Sequence, residues 1–343
     1  MNMVMVGFGG DDTMAFNMVG HENTKNQIKI ALSAAINRNM ALPHMLFAGA
    51  AGCGKTTMAK QIAKIGGVNF IKLVPDDIKD YDSTIRALEY LNIEGYDPLG
   101  NRVSQIKPTI IFFDEIHRMP LKGQEDLGRA MEEFRIESKR PGKYIWLPFF
   151  TIIGATTNDG KLSKPFRDRF KIRFVFQPYS MAESIDIVKM HAYNMNIIIT
   201  DKAVRNIAKR GRGVPRIMVG YIERVRDMAL SLDAKVVNNK IVDMTFEELG
   251  IDSEGLTTVE SKILKHLHEN YGKPVGLDNL SILVNEAPKT IMDSAEPFLI
   301  QKGFITRSGK GRLLTEKGKK YVEGEHLRNK FVKEEIEEGY VRV

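Results

Sequence analysis

The run Gly49-Ala50-Ala51-Gly52-Cys53-Gly54-Lys55-Thr56 matches the pattern G-x-x-x-x-G-K-[ST] at every position. Glycines at this spacing let backbone N–H groups turn onto phosphate oxygens, and a helix N-terminus behind them adds partial positive charge. Lys55 is expected to reach the β- and γ-phosphates of a nucleoside triphosphate, and the Thr56 hydroxyl to ligate Mg²⁺. Gly49, Gly52, Cys53, Gly54 and Thr57 complete the expected cradle. A chance glycine-rich turn would lack the flanking elements found here. Met45-Leu46-Phe47-Ala48 reads as a short buried strand before the loop, and Thr57 to Ala63 as an amphipathic helix after it.

Further groups fit the same chemistry. Asp114-Glu115 closes the apolar run Thr109 to Phe113. An acid there is suited to hold Mg²⁺, and the next to polarise an attacking water; a plain pair of strand-end acids is the bland alternative. Thr157 ends another apolar run, Phe150 to Ala155. A threonine there can hydrogen-bond a γ-phosphate or a water, although threonine after a strand is common. In Phe166-Arg167-Asp168-Arg169-Phe170, an arginine can serve a neighbouring subunit as a finger or simply form a surface ion pair. Arg216, in Gly213-Val214-Pro215-Arg216, opens a helix and can touch the same γ-phosphate.

The elements that must position these groups alternate. Apolar runs at 45–48, 68–74, 109–113 and 150–155 read as strands buried on both faces, separated by helical stretches. This implies an α/β, three-layer domain with a parallel sheet. From Met181 the strands stop. Residues 181–231 read as helices, and the polar stretch Asn238-Asn239-Lys240 leads towards Gly250. Helices over 257–269, 277–284 and 288–301, then a hairpin through Phe304 to Thr315, form a winged-helix pattern. The expected division is an ATPase domain over 1–178, a helical lid over 179–249, a winged helix over 250–322 and a charged tail over 323–343.

The bulk numbers agree. With 343 residues and 43% hydrophobic content, the chain is of globular composition. Its sole cysteine, Cys53, excludes an internal disulfide and suits a reducing compartment, as filler in the loop rather than a redox switch. No stretch approaches the roughly 20 apolar residues of a membrane span, and Met1 to Gly10 lacks a basic flank, so a cytoplasmic protein without a membrane partner is expected. A net charge of +7 suits an acidic polymer partner. The charge concentrates over 302–320, where Lys302, Arg307, Lys310, Arg312, Lys317, Lys319 and Lys320 face one acid, Glu316. Such a stripe suits phosphate contacts that read no sequence; a solvated charged hairpin is the alternative.

In this order the motifs resemble the AAA+ ATPases, and within them the RuvB family of Holliday-junction branch-migration motors. The resemblance runs over about residues 17–320. It rests on Phe113 to Arg118, Phe150 to Thr157, Pro165 to Phe170, Val214 to Ile217, Glu223 to Asp227, Pro274 to Leu280 and Glu296 to Phe304. It implies ATP and Mg²⁺ as cofactors and a hexameric ring on double-stranded or four-way-junction DNA. It further implies Lys55, Asp114, Glu115, Thr157 as sensor 1, Arg169 as a trans finger in preference to Arg167, and Arg216 as sensor 2. Tyr179 is implied at the adenine, and Arg307, Lys310 and Arg312 at DNA. Two segments depart from the family. Asp11 to Phe16 stands where a Leu-Arg-Pro element is usual, which leaves Phe16, Met18 and Val19 as apolar contacts for the base, with the His21 backbone. The hairpin 137–144 is short and basic at its tip, where the family docks RuvA, so a different partner or direct DNA contact is expected. A clamp-loader-type ATPase, or a nucleotide-sensing scaffold without motor activity, are the competing readings.

Overall fold

The computed structural model describes residues 15–38, 40–89, 94–96, 102–104, 108–137 and 143–324. Two contact units divide the chain: 1–196 with 211–223, and 197–210 with 224–343.

The first unit opens with α1 (Glu22–Arg38), β1 (Met45–Gly49), α2 (Lys55–Gly66), β2 (Asn69–Leu73) and α3 (Tyr81–Glu89). A short pair, β3 (Glu94–Tyr96) and β4 (Arg102–Ser104), precedes β5 (Thr109–Phe113) and α4 (Leu121–Glu133). The hairpin β6 (Arg135–Glu137) and β7 (Tyr144–Trp146) leads to β8 (Phe150–Thr156), α5 (Lys164–Asp168), β9 (Ile172–Phe176) and α6 (Met181–Asn194). The main sheet has the order β2-β5-β8-β1-β9, and every pair in it is parallel.

All residues of β5 and β8 are buried, which is why both read as unbroken apolar runs. Alternation then sorts their side chains into two layers. Phe112 and Ile153 join α1 and α2 through Ile28, Met58 and Ile62. Ile111, Phe113 and Ile152 join α4 through Leu127 and Met131. Each such side chain contributes about 1.5–3 kcal/mol by leaving water.

β9 was not foreseen. It pairs with β1 from Met45↔Ile172 to Gly49↔Phe176. As an edge strand it alternates between buried Phe174 and Phe176 and exposed Arg173 and Val175, and the charged Arg173 near its start interrupts an otherwise apolar run. The hairpin tip, 138–142, lies outside the described residues.

In the second unit, α7 (Asp201–Arg210) and the later part of α8 (Pro215–Ser231) are followed by α9 (Asn239–Glu248). The sequence reading treated the start of α9 as a polar connection. Asn238 is instead its cap, its side chain accepting from Ile241 N at 3.1 Å, and Ile241, Val242, Thr245 and Phe246 form the buried face.

The winged helix follows: α10 (Thr258–Glu269), capped by Thr257 and Glu260, α11 (Leu277–Val284), α12 (Pro288–Thr290), a π-helical turn at Ile291–Ala295 and α13 (Glu296–Gln301). The hairpin β10 (Ile305–Ser308) and β11 (Gly311–Leu314) closes it, with Ile263, Leu280, Leu299 and Phe304 among its core residues. The expected tail lies outside the described residues beyond 324.

Candidate active site

The strand order puts the loops after β1, β5 and β8 side by side at the carboxyl edge of the sheet, where ligands of open parallel sheets bind. Phe113 pairs with Gly154 and Ala48 with Thr156, so Asp114-Glu115, Thr157 and the glycine loop leave the sheet at one level.

The loop is built by left-handed backbone. Gly52 (φ 81°) and Gly54 (φ 91°) both occupy conformations that side chains rarely adopt. A Cβ on Gly52 would come within 2.8 Å of Val214 and 3.0 Å of Arg216, and one on Gly54 within 3.0 Å of the Tyr179 hydroxyl. Gly54 then caps α2, whose first-turn amides are of the kind suited to an anion. Lys55 is buried, and its Nζ donates to Gly49 O at 2.7 Å and Ala50 O at 2.8 Å. Burial pulls its pKa below the usual lysine value, while Glu115, Cys53 and Asp114 raise it and Arg216 lowers it. Cys53 is fully buried, and desolvation pushes its thiol up, as expected of filler.

Glu115 adopts a left-handed conformation (φ 51°, ψ 48°) and starts the short turn Ile116–Arg118. Non-glycine residues held this way cluster at functional sites. Its Oε2 accepts from Thr157 N at 3.1 Å and from Thr157 Oγ1 at 2.9 Å. Asp114 pairs with Lys72 across 3.2 Å, both side chains remaining partly exposed. Thr56 and Asp114 offer a hydroxyl and a carboxylate, the oxygen donors that Mg²⁺ prefers.

At the other end of the loop, Phe16 and Met18 pack on the β1–α2 core, and Val19 is half-buried. Tyr179 is buried, and burial raises its hydroxyl pKa. The residue missed there is the His21 ring. It lies 4.6 Å from the Tyr179 ring and 4.7 Å from Phe176, with Nε2 3.2 Å from Cys53 O. Desolvation lowers its pKa and favours the neutral ring. A lone histidine carries no sequence signal for this, so only its backbone entered the reading. Asp11 to Met14 lie outside the described residues.

Arg169 lies elsewhere. Its Nη1 donates to Pro165 O at 2.8 Å, its Nη2 pairs with Glu132 at 3.4 Å, and the chain runs along α4 beside Gly128. Its Nε is buried without a hydrogen-bond partner among the described residues. A cleft of about 440 Å³, lined in part by Lys122, Arg129, Ser163 and Arg169, opens beside it.

In the second unit, the wing carries Arg307, Lys310 and Arg312. Arg307 and Arg312 face each other across the hairpin. Both guanidinium groups bond Glu296 of α13, which is fully buried. Counting Glu316 as the only nearby acid missed this partner, because Glu296 precedes the stripe in sequence. Arg312 is mostly buried (13% of its side chain exposed), Arg307 half exposed (51%), and Lys310 exposed.

Family models for the Holliday junction DNA helicase RuvB P-loop domain, the RuvB AAA lid domain and the RuvB C-terminal winged helix domain match residues 13–176, 179–252 and 253–323. The Holliday junction branch migration complex subunit RuvB of Streptococcus thermophilus is 38% identical over 319 residues, 91% of each chain. That of Orientia tsutsugamushi is 36% identical over 89% of this chain and 92% of its own. The solved Thermotoga maritima RuvB Holliday junction branch migration motor superposes with a TM-score of 0.73 at 37% identity, covering 89% of this chain and 95% of that one. With one edge gathering the phosphate loop, the acids and Arg216, and with all three parts matched in order, the chain belongs to the RuvB family of AAA+ ATPases.

Proposed function

We propose that this chain is an ATP-driven motor on double-stranded DNA that moves Holliday junctions, assembled as a hexameric ring in the cytoplasm. The observation that carries the reading is the separation of the charged groups. Lys55 in the glycine loop, Asp114-Glu115 at the end of β5 and Arg216 beside Gly52 gather at the sheet edge, while Arg169 lies against α4. A finger in that position serves a neighbour's nucleotide, so hydrolysis waits for assembly.

In the proposed cycle, the ATP phosphates enter the loop and Lys55 exchanges its carbonyl partners for phosphate oxygens. Thr56 and Asp114 would hold Mg²⁺, which would supply neutralising charge at the phosphates. Glu115 takes a proton from water as the water oxygen bonds the γ-phosphorus and the bond to the β-γ bridging oxygen breaks, yielding ADP and phosphate. Thr157 holds Glu115, and Arg216 meets the γ-phosphate from the start of α8. That helix continues into the unit bearing the wing, which gives nucleotide state a covalent route to DNA. Tyr179, His21, Met18, Phe16 and Val19 form the base end.

Arg307 and Arg312 both brace the wing through Glu296, while the exposed Lys310, with the half-exposed side of Arg307, grips phosphates without reading sequence. The domain divisions at 178, 249 and 322 belong to the same proposal. The altered hairpin points to a partner other than a conventional RuvA, or to direct DNA contact; tight capture of this chain by a conventional RuvA would reverse that reading. The winged helix disfavours a clamp loader, and the intact charged set disfavours a passive scaffold.

Steady-state ATPase measured with and without duplex DNA tests the proposal. Stimulation by DNA is expected, and Arg169→Ala subunits mixed into wild type should poison turnover beyond dilution. Turnover indifferent to DNA, or loss in strict proportion to the mutant fraction, would count against it.

A further inference from the structure

We propose that His117 is a positioning residue for ATP hydrolysis, holding one oxygen of Glu115 so that the other is left to accept the proton of the attacking water. The proposal rests on Glu115 being the water-activating base. His117 Nδ1 lies 3.1 Å from Glu115 Oε2 and 2.8 Å from Thr156 Oγ1. Its side chain is largely buried (13% exposed), and Thr156 is completely so. Thr156 Oγ1 also accepts from Asn158 N at 2.9 Å, which fixes that hydroxyl against the loop after β8. Nδ1 bonds the Thr156 hydroxyl and lies within ion-pair range of Glu115 Oε2, so the ring sits between the two oxygens.

The consequence lies in how Glu115 is divided. Oε2 takes the contacts from Thr157 N, Thr157 Oγ1 and His117. Oε1 has no hydrogen-bond partner among the described residues. A carboxylate on a flexible side chain would spread over rotamers and present either oxygen. Contacts from two elements, hydrogen bonds from Thr157 after β8 and the close approach of His117 in the turn after β5, select one. Positioning of this kind acts on the chemical step more than on substrate binding. It also ties the acid that activates water to the strand that carries the γ-phosphate sensor, so a shift of the β8 loop alters the base directly. The left-handed backbone at Glu115 turns the chain so that a residue only two places further on can reach back to its carboxylate.

The test is steady-state ATPase of the full-length protein with duplex DNA, comparing wild type, His117→Ala, His117→Asn and Glu115→Gln, with thermal melting of each. His117→Ala should lower kcat about tenfold and leave KM within about twofold. His117→Asn, whose amide N–H stands near the place of Nδ1, should recover most of the loss. Wild-type turnover in His117→Ala would overturn the proposal. So would Asn and Ala variants equally slow, or a loss that follows melting temperature or KM rather than kcat. Failure of the underlying reading has a separate signature, which is wild-type turnover in Glu115→Gln.

Discussion

Two glutamates, Glu115 at the sheet edge and Glu296 in the winged helix, meet opposite fates. Glu115 is a third exposed, and among the described residues only one of its oxygens is engaged, by Thr157 and a histidine. Glu296 is fully buried, and each of its oxygens is taken by an arginine. Open solvent and an oxygen without a hydrogen-bond partner among the described residues suit the first carboxylate to the proposed chemistry. The second has its charge consumed in holding two like-charged residues that face each other across a hairpin. Residue type alone does not separate these roles; burial and hydrogen-bond saturation do.

The sharpest way to break the comparison is Glu115→Gln. It should retain nucleotide binding and melting temperature while turnover falls by about 10³-fold, or ~4 kcal/mol in the barrier. Unchanged turnover would remove Glu115 as the base. Glu296→Ala should do the reverse. It leaves two arginines without a buried counter-charge and should cost the winged helix about 3 kcal/mol, read as a lower denaturant midpoint for the transition of that unit. A midpoint that does not move would show that the arginines find other partners. The smallest effect is expected at Lys310→Ala, which should weaken duplex binding uniformly across sequences and reduce the salt slope by about 1. A slope equal to wild type would take Lys310 out of the footprint.

The same contrast explains what was legible in the sequence. The glycine loop, β5 and β8 were read correctly because local rules govern them: a motif fixed by phosphate geometry and apolar runs fixed by burial on two faces. The helices around residues 258–301 and the wing hairpin were legible by periodicity and turn residues. β9 was missed because Arg173 interrupts the short apolar run of Ile172–Phe176, an edge strand that is only partly buried. α9 was missed because its cap, Asn238, belongs to a polar run that also suits a linker. The ring of His21 beside Tyr179, the bridge from His117 to Glu115, and Glu296 beneath Arg307 and Arg312 were invisible for a different reason. Each is a meeting of residues that only the folded chain brings together, and no spacing rule encodes it. The basic stripe was visible, but the tying of Arg307 and Arg312 to a buried Glu296, which leaves Lys310 exposed, needed the folded wing.

The central claim is that ATP hydrolysis at the sheet edge moves DNA held by the wing. The most direct measurement is strand exchange in a synthetic, mobile four-way junction, followed by fluorescence with wild type and with Glu115→Gln, each with and without ATP. The account predicts ATP-dependent conversion of the junction to duplex products by wild type, and junction binding without conversion by Glu115→Gln. Conversion that proceeds equally without ATP, or equally with Glu115→Gln, would contradict it.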